Sequence, residues 1–418
     1  MREDAELSPT VAIVDIYAPT LPLAQAFLDA GARVVRVQST VDVPPAYRAR
    51  PDLSSFVADI VHRGDFSATR DAVAAHRPDF VITGGETGVE LADRLSESLG
   101  LPTNGSALSA ARRDKFIQNE TLRLAGIRAT RQVLVSDEQK LRAWHGEIGG
   151  RVVVKPVRSA GNDGVRFCAT PDDSVAAYRE IHGSTNVFGR SNDAVVAQEY
   201  LVGTEYAVNT VSSHGRHRVT DIWRYAKMTV NGVVDRHAGV FSTPAEQVPE
   251  LIGYARAVLD ALGVHHGPAH LEIMLTPDGP CLVEAGIRLC GGGAAYYAHL
   301  AGGESQLEWT VDAYLHPQRF EREYVRPNSI ERHVVMAYLT SPVEGVLEDY
   351  PLLEQVRALP SFHQEHLSVR PGEQLPRTVD DCTEPLMVGL AHSVAQVVAD
   401  DFRAVNYLDG PGFYRVRT

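Results

Sequence analysis

Cysteine is scarce in this chain: Cys168, Cys281, Cys290 and Cys382 are the four in 418 residues, and no two have C-x-x-C spacing. That argues against a disulfide framework or a thiolate zinc centre and leaves the four as small buried or semi-buried hydrophobes. Long apolar runs are also missing. No stretch approaches the ~20 residues of a membrane-spanning helix, and the opening MREDAELSPT lacks the basic and apolar regions of a secretion signal. A cytoplasmic protein without a membrane partner is expected. Nor is there an excess of positive charge: 40 Lys and Arg stand against 53 Asp and Glu, a formal net charge of −13, with no long block of either sign. Such a balance argues against a nucleic-acid or anionic-lipid surface. An anionic small molecule must then meet positive charge concentrated locally. No internal repeat or low-complexity tract is evident.

What is present is an ordinary globular composition, 44% hydrophobic and 22% charged. The chain is too long for one core, so several packed domains are expected. Residues 1–105 read as parallel α/β: VAIVDIYAPTLPLAQAFLDAGARVVRV gives strand, helix and strand, and DFVITGG leads into the helical GVELADRLSESLGL. No G-x-G-x-x-G follows the first strand, so a dinucleotide site is not expected there. Residues 106–330 read as α+β with antiparallel strands, opening on a helix over SALSAARRDKFIQNETLRLAG. Residues 331–418 hold a strand, RHVVMAYL, and a helix over EPLMVGLAHSVAQVVADDF, a small closing domain.

The most informative stretch is HLEIMLTPDGPCLVEAGIRLCGGG. Two strand-like runs flank Thr276-Pro277-Asp278-Gly279-Pro280, which predicts a three-residue hairpin loop of Pro277, Asp278 and Gly279. In that register Glu272 faces Glu284 and Gly286 faces His270, while Leu271, Ile273 and Leu275 meet Ala285, Val283 and Cys281. Two acids ~5 Å apart destabilise a sheet unless something compensates. A divalent cation between them does so, and oxygen-only ligands suit Mg²⁺. Arg288, four residues on, matches phosphate oxygens or a tetrahedral oxyanion, and the glycines 291–293, Gly292 at their centre, let backbone amides approach an anion. The plain alternative is a solvated hairpin edge with salt bridges.

In RVVVKPVRSAGNDGV, Lys155 ends an apolar strand and can present a point charge to nucleotide phosphates, while the loop with Gly161 and Gly164 folds over them. This is not a Walker A loop, and a hairpin with a surface lysine is the competing reading. In VVAQEYLVGTEYAV a connector between strands can offer its backbone to an adenine edge, and Glu205 can accept both ribose hydroxyls. Glu199 and Glu205 also fit ordinary exposed strand acids. Glu86 and Glu90, after Thr83-Gly84-Gly85 at the carboxyl end of a parallel strand, stand where open α/β sheets bind ligands and can hold an ammonium group; a helix N-terminal acid is the alternative. Trp223 to Lys227 lead to an Asn231-Gly232 turn and either project over the pocket or pack in the sheet.

Lysine strand, glycine loop, Gln-Glu-Tyr-Leu hinge and Glu…Glu-x-x-x-Arg, in that order, resemble the ATP-grasp superfamily over roughly residues 10 to 330. The GPAHLEI lead-in and compact C-terminal extension look most like the L-amino-acid ligases, which make dipeptides in bacterial secondary metabolism. The resemblance implies an ATP-grasp fold with an N-terminal Rossmann-like domain and a mobile lid at about 125–203. It implies an aminoacyl phosphate made with ATP and Mg²⁺, one ion or two, with Mn²⁺ as a substitute, and amino acids as small-molecule substrates. By position, Lys115 and Lys155 contact phosphates, Ser159, Ala160, Gly161 and Gly164 belong to the covering loop, and Gln198, Glu199, Tyr200 and Leu201 hold adenine. Glu205 takes the ribose, Glu272 and Glu284 the metal, and Arg288 the transferring phosphoryl group and the tetrahedral intermediate, with Glu284 and Lys155 beside it in catalysis. Gly286 departs from the common Glu-x-Asn-x-Arg and removes an amide ligand to a second ion. His270 is either a donor near the metal or a satisfied core histidine. An ATP-grasp enzyme using formate or bicarbonate, and a silent nucleotide-binding regulator, are the competing functions; a homodimer is compatible with all three.

Overall fold

The structure, a computed structural model, describes residues 8–17, 20–47, 51–231 and 233–417. The leading MREDAEL, Gly232 and the side chain of Cys382 lie outside that description. Cys168 and Cys281 are buried and Cys290 half-buried. Among the described residues no helix is long and apolar enough to cross a membrane.

The chain begins with a four-stranded parallel sheet in the order Ala58–Val61, Arg33–Gln38, Thr10–Val14, Phe80–Thr83. The two inner strands are almost wholly buried, as a parallel sheet covered on both faces requires. Helices Leu21–Asp29 and Val89–Ser98 supply that cover. Strand Phe80–Thr83 ends in Gly84-Gly85, pressed against the first strand's exit. A β-carbon on Gly85 would lie 2.8 Å from the Asp15 carbonyl oxygen, so only glycine carries the chain past this point and delivers Glu86.

A second, antiparallel sheet runs Gln132–Leu134, Val195–Glu199, Val152–Pro156, Arg166–Cys168, packed by helices Glu138–Ile148 and Pro171–Ile181. Thr170 and Asp173 form a reciprocal cap at the start of the second helix. The largest sheet has eight strands: Gly279–Gly286, Gly267–Thr276, Thr204–Ser213, Arg216–Val230, Val233–Ser242, His333–Leu339, Leu386–His392 and Phe362–Leu367. Three strands of the C-terminal segment therefore extend the sheet that carries the hairpin of acids.

Two expected helices differ. EPLMVGLAHSVAQVVADDF is a strand, Leu386–His392, followed by a helix, Ala395–Leu408. Leu386, Val388 and Leu390 alternate into the core, and Gly389 leaves room for Tyr297, whose hydroxyl would lie 2.5 Å from a β-carbon there. The period is two, not 3.6. The helix expected over 106–126 spans only Lys115–Leu124, because the Asp114 carboxylate caps it, accepting from the amides of Phe116 and Ile117 at 3.0 and 3.1 Å. The residues before it turn around the buried Arg112, which donates to the Leu262 carbonyl at 2.9 Å and pairs with Asp93 at 3.0 Å.

Candidate active site

The hairpin reaches the expected pairing by a different route. Thr276 pairs with Gly279, so the loop is Pro277-Asp278, two residues rather than three. Ile273 then meets Leu282 and Leu275 meets Pro280, not Val283 and Cys281. A bulge at Val283 restores the count, and beyond it Glu272 faces Glu284, Leu271 faces Ala285 and His270 faces Gly286. The bulge turns Val283 and Glu284 towards one cavity.

That cavity, about 150 Å³, is lined by Lys115, Lys155, Ser159, Ala160, Gly161, Gln198, Glu199, Tyr200, Leu201, Glu205, His270, Glu272, Glu284 and Arg288. Strands 152–156, 195–199 and 204–213, the hairpin and the head of helix Lys115–Leu124 thus converge on one space. Glu86, Gly164 and Gly292 stand outside it.

The cations are held close to the acids. Lys115 Nζ lies 2.9 Å from Glu284 Oε1 and donates to the Ser159 carbonyl at 2.8 Å. Lys155 is 5% exposed; burial and then the neighbouring Lys115 push its pKa down to about 8, against the pull of Glu284 and Glu272. His270 Nδ1 meets Asn209 Oδ1 at 2.8 Å and Nε2 lies 3.4 Å from Glu272 Oε1. Burial opposes its charge, but Cys290 and Glu272 outweigh burial and raise its pKa. The same pairing holds Glu272 below the usual carboxylate range despite its own burial.

Arg288 is fixed from the parallel domain. Its Nε donates to Glu86 Oε2 at 3.0 Å and its Nη1 to the Leu289 carbonyl at 3.1 Å. The other Glu86 oxygen accepts from Arg113. Burial raises the Glu86 pKa, yet Arg113 and Arg288 overcome it, so the net shift is downward. Both oxygens, expected to face a substrate ammonium, are occupied by guanidinium groups. Glu90 pairs with Arg158 at 3.1 Å.

The glycine loop folds on itself: Ser159 Oγ donates to Asp163 Oδ2 at 2.6 Å, and Asn162 Nδ2 reaches the two Asp381 oxygens at 3.2 and 3.1 Å. Gly161 and Gly164 have φ of +66° and +71°. Gln198 Nε2 donates to Gln132 at 3.0 Å, Glu199 accepts from Arg131 at 2.6 Å, and Glu205 is buried and paired with Lys227. Trp223 packs in the core, while Lys227 lines the cavity.

Residues 148–295 match the ATP-grasp domain. Over 349 residues, 82% of this chain and 82% of the relative, the sequence is 32% identical to dapdiamide A synthase of Enterobacter agglomerans. The chain belongs to the ATP-grasp amino-acid ligases. It is 21% identical over 331 residues to an L-arginine-specific L-amino acid ligase of Bacillus subtilis, covering 77% of this chain and 74% of that one. The crystal structure of an L-amino acid ligase from Bacillus licheniformis superposes with a TM-score of 0.76 at 20% identity, over 98% of this chain and 99% of that one, a likeness of fold.

In this ATP-grasp ligase the space next to Gly286 is taken. A β-carbon there would lie 3.1 Å from the Arg288 guanidinium carbon and 3.2 Å from Glu86 Oε2. Among the described residues no group of three or more His, Cys, Asp or Glu is placed to hold a metal. The opposed Glu272 and Glu284 fit a hard cation that completes its shell with phosphate oxygens and water. Sequence reading missed Arg113, His237, Met274 and Asp381. Arg113 had a faint signal, two residues before Lys115; Asp381 reaches the cavity from a part of the chain no motif marks.

Proposed function

We propose that this ligase uses ATP to phosphorylate the carboxylate of one amino acid and joins the acyl group to the amine of a second, releasing ADP and phosphate. The observation that carries this is the convergence of Glu272, Glu284, Lys115, Lys155 and Arg288 on one cavity, in a chain related to dapdiamide A synthase over 82% of its length.

Backbone groups of Gln198 to Leu201 receive the adenine edge, and Glu205, steadied by Lys227, accepts the ribose hydroxyls. Lys115 and Lys155 meet the phosphates as point charges inside a space that burial has dried. Glu272 and Glu284 are the residues that would hold Mg²⁺, which would supply charge neutralisation at the phosphate oxygens. Ser159 to Gly164 cover the triphosphate and exclude water from an acyl phosphate that water destroys. A substrate carboxylate oxygen attacks the γ-phosphorus and ADP leaves; the second amine then attacks the acyl carbon and phosphate leaves. Arg288, aimed by Glu86, stabilises the negative charge of both transition states, so no protein nucleophile is required.

The test is a phosphate-release screen with Mg-ATP and all pairs of the common amino acids, with formate and bicarbonate alongside. Release that requires amino acids supports the reading. Release driven by formate or bicarbonate alone points to the other ATP-grasp chemistry, and none under any condition contradicts a ligase.

A further inference from the structure

A second cavity, about 220 Å³ against about 150 Å³ for the first, shares no lining residue with it. Its walls come from strand Arg216–Val230, the end of helix Ala294–Gly302, helix Gln306–Leu315 and residues 326–331. Within it Arg218, 2% exposed, lies over Trp309 with its guanidinium carbon 3.7 Å from the ring centroid. Its Nη1 donates to the carbonyls of Glu323 and Arg326 at 2.8 and 2.6 Å. The nearby carboxylate of Glu304, 3.8 Å away, is already paired with Arg319 at 3.0 Å and Arg326 at 2.5 Å. Arg218 Nε has no hydrogen-bond partner among the described residues, and neither has the Asn328 side-chain oxygen in the same wall.

An orphaned donor on a buried cation and an orphaned acceptor beside one cavity are a costly pair to leave unmet. The cavity is also far larger than one water needs. Its remaining lining carries both signs: Arg326 with Arg218, against Asp221, Glu304 and Glu331. Asp221 is 7% exposed; one oxygen accepts from the Asn209 side chain and from Trp223 at 2.6 Å, the other from Thr220 at 2.8 Å, which leaves a single acceptor position. A bare anion would face these acids and a bare cation these arginines. A molecule with a carboxylate at one end and an ammonium at the other matches both, and Trp223, Ala298 and Ala301 give its side chain an apolar wall.

We propose that this cavity is a second small-molecule site that takes a free α-amino acid as its zwitterion, carboxylate towards Arg218 and Arg326 and ammonium towards Asp221 and Asn328. It uses no residue of the first cavity and does not depend on the ligase reading.

The test is calorimetric titration of the full chain with each common amino acid, without nucleotide, on the parent, Asn328→Leu and Ser329→Trp. At least one amino acid should bind in a class whose affinity falls about tenfold or more in both variants, while their ADP release at saturating substrates stays within about twofold of the parent. The matching carboxylic acid without the amine, and the amine without the carboxylate, should each bind that class at least about tenfold more weakly. Binding of every amino acid unchanged in both variants overturns the proposal, as does equal binding of the simple carboxylate. Thermal unfolding checks the variants; if Ser329→Trp does not fold, Asn328→Leu decides. Variant-sensitive binding in a protein that never releases phosphate with amino acids would refute the ligase reading and leave this site standing.

Discussion

Glu86 and Arg288, 202 residues apart in the chain, meet at 3.0 Å across the junction of the parallel sheet and the acid-bearing hairpin. The parallel-sheet segment thereby orients the guanidinium to which the proposed mechanism assigns the transition-state charge.

Glu86→Gln removes the charge that orients Arg288 but keeps the shape. A misplaced guanidinium costs on the order of 10²-fold in rate, so kcat should fall by about that much while the Kd for ATP stays within about threefold. Steady-state kinetics alongside nucleotide titration checks both. Arg288→Lys should fail to rescue, since a point charge cannot replace the forked donor.

Gly286→Asn restores the amide common in ATP-grasp sites, yet here it should lower activity by about tenfold or more. The new β-carbon crowds Arg288 at 3.1 Å and Glu86 at 3.2 Å, and pushing the guanidinium aside costs more than an added metal ligand returns. Turnover as a function of Mg²⁺ concentration measures the outcome; a gain in kcat would show that the crowding is harmless.

Lys155 carries a testable pH signature. Its pKa, lowered to about 8 in the free enzyme, means the charge is present below pH 8 and lost as pH rises through it. A bound triphosphate favours the charged form and returns the pKa towards the ordinary lysine value. Nucleotide binding should therefore take up about half a proton at pH 8, most of one at about pH 9 to 9.5 and almost none at pH 6.5. Calorimetry in buffers of different ionisation enthalpy reads this directly, and Lys155→Met should abolish it.

Asn162 ties the glycine loop to Asp381 at 3.1–3.2 Å. Asn162→Ala should loosen that cover and let water reach the acyl phosphate. The ratio of phosphate released to product formed, near one in the parent, should rise severalfold, with total ATP turnover changed far less.

The facing acids were legible because alternation and turn chemistry constrain a hairpin strongly, although the loop is one residue shorter than Pro277, Asp278 and Gly279 suggested. The bulge at Val283 cancelled that error; no periodicity announces a bulge, so Val283 and Cys281 were assigned to the wrong pairs. Leu386–His392 was misread because LMVGLAH precedes a true helix without a break, and its strand period shows only against the neighbouring strand His333–Leu339. Glu86 was singled out for its place at the carboxyl end of a parallel strand, but its partners Arg113 and Arg288 are set by tertiary approach. What Gly286 makes room for is likewise visible only in three dimensions.

The most direct test of the central claim is to supply the substrate amino acid with its carboxylate labelled with ¹⁸O and follow the label by mass spectrometry of the products. Transfer of the γ-phosphoryl group to that carboxylate predicts ADP as the nucleotide product and one ¹⁸O in the inorganic phosphate per turnover. Unlabelled phosphate, or AMP and pyrophosphate in place of ADP, would contradict the account.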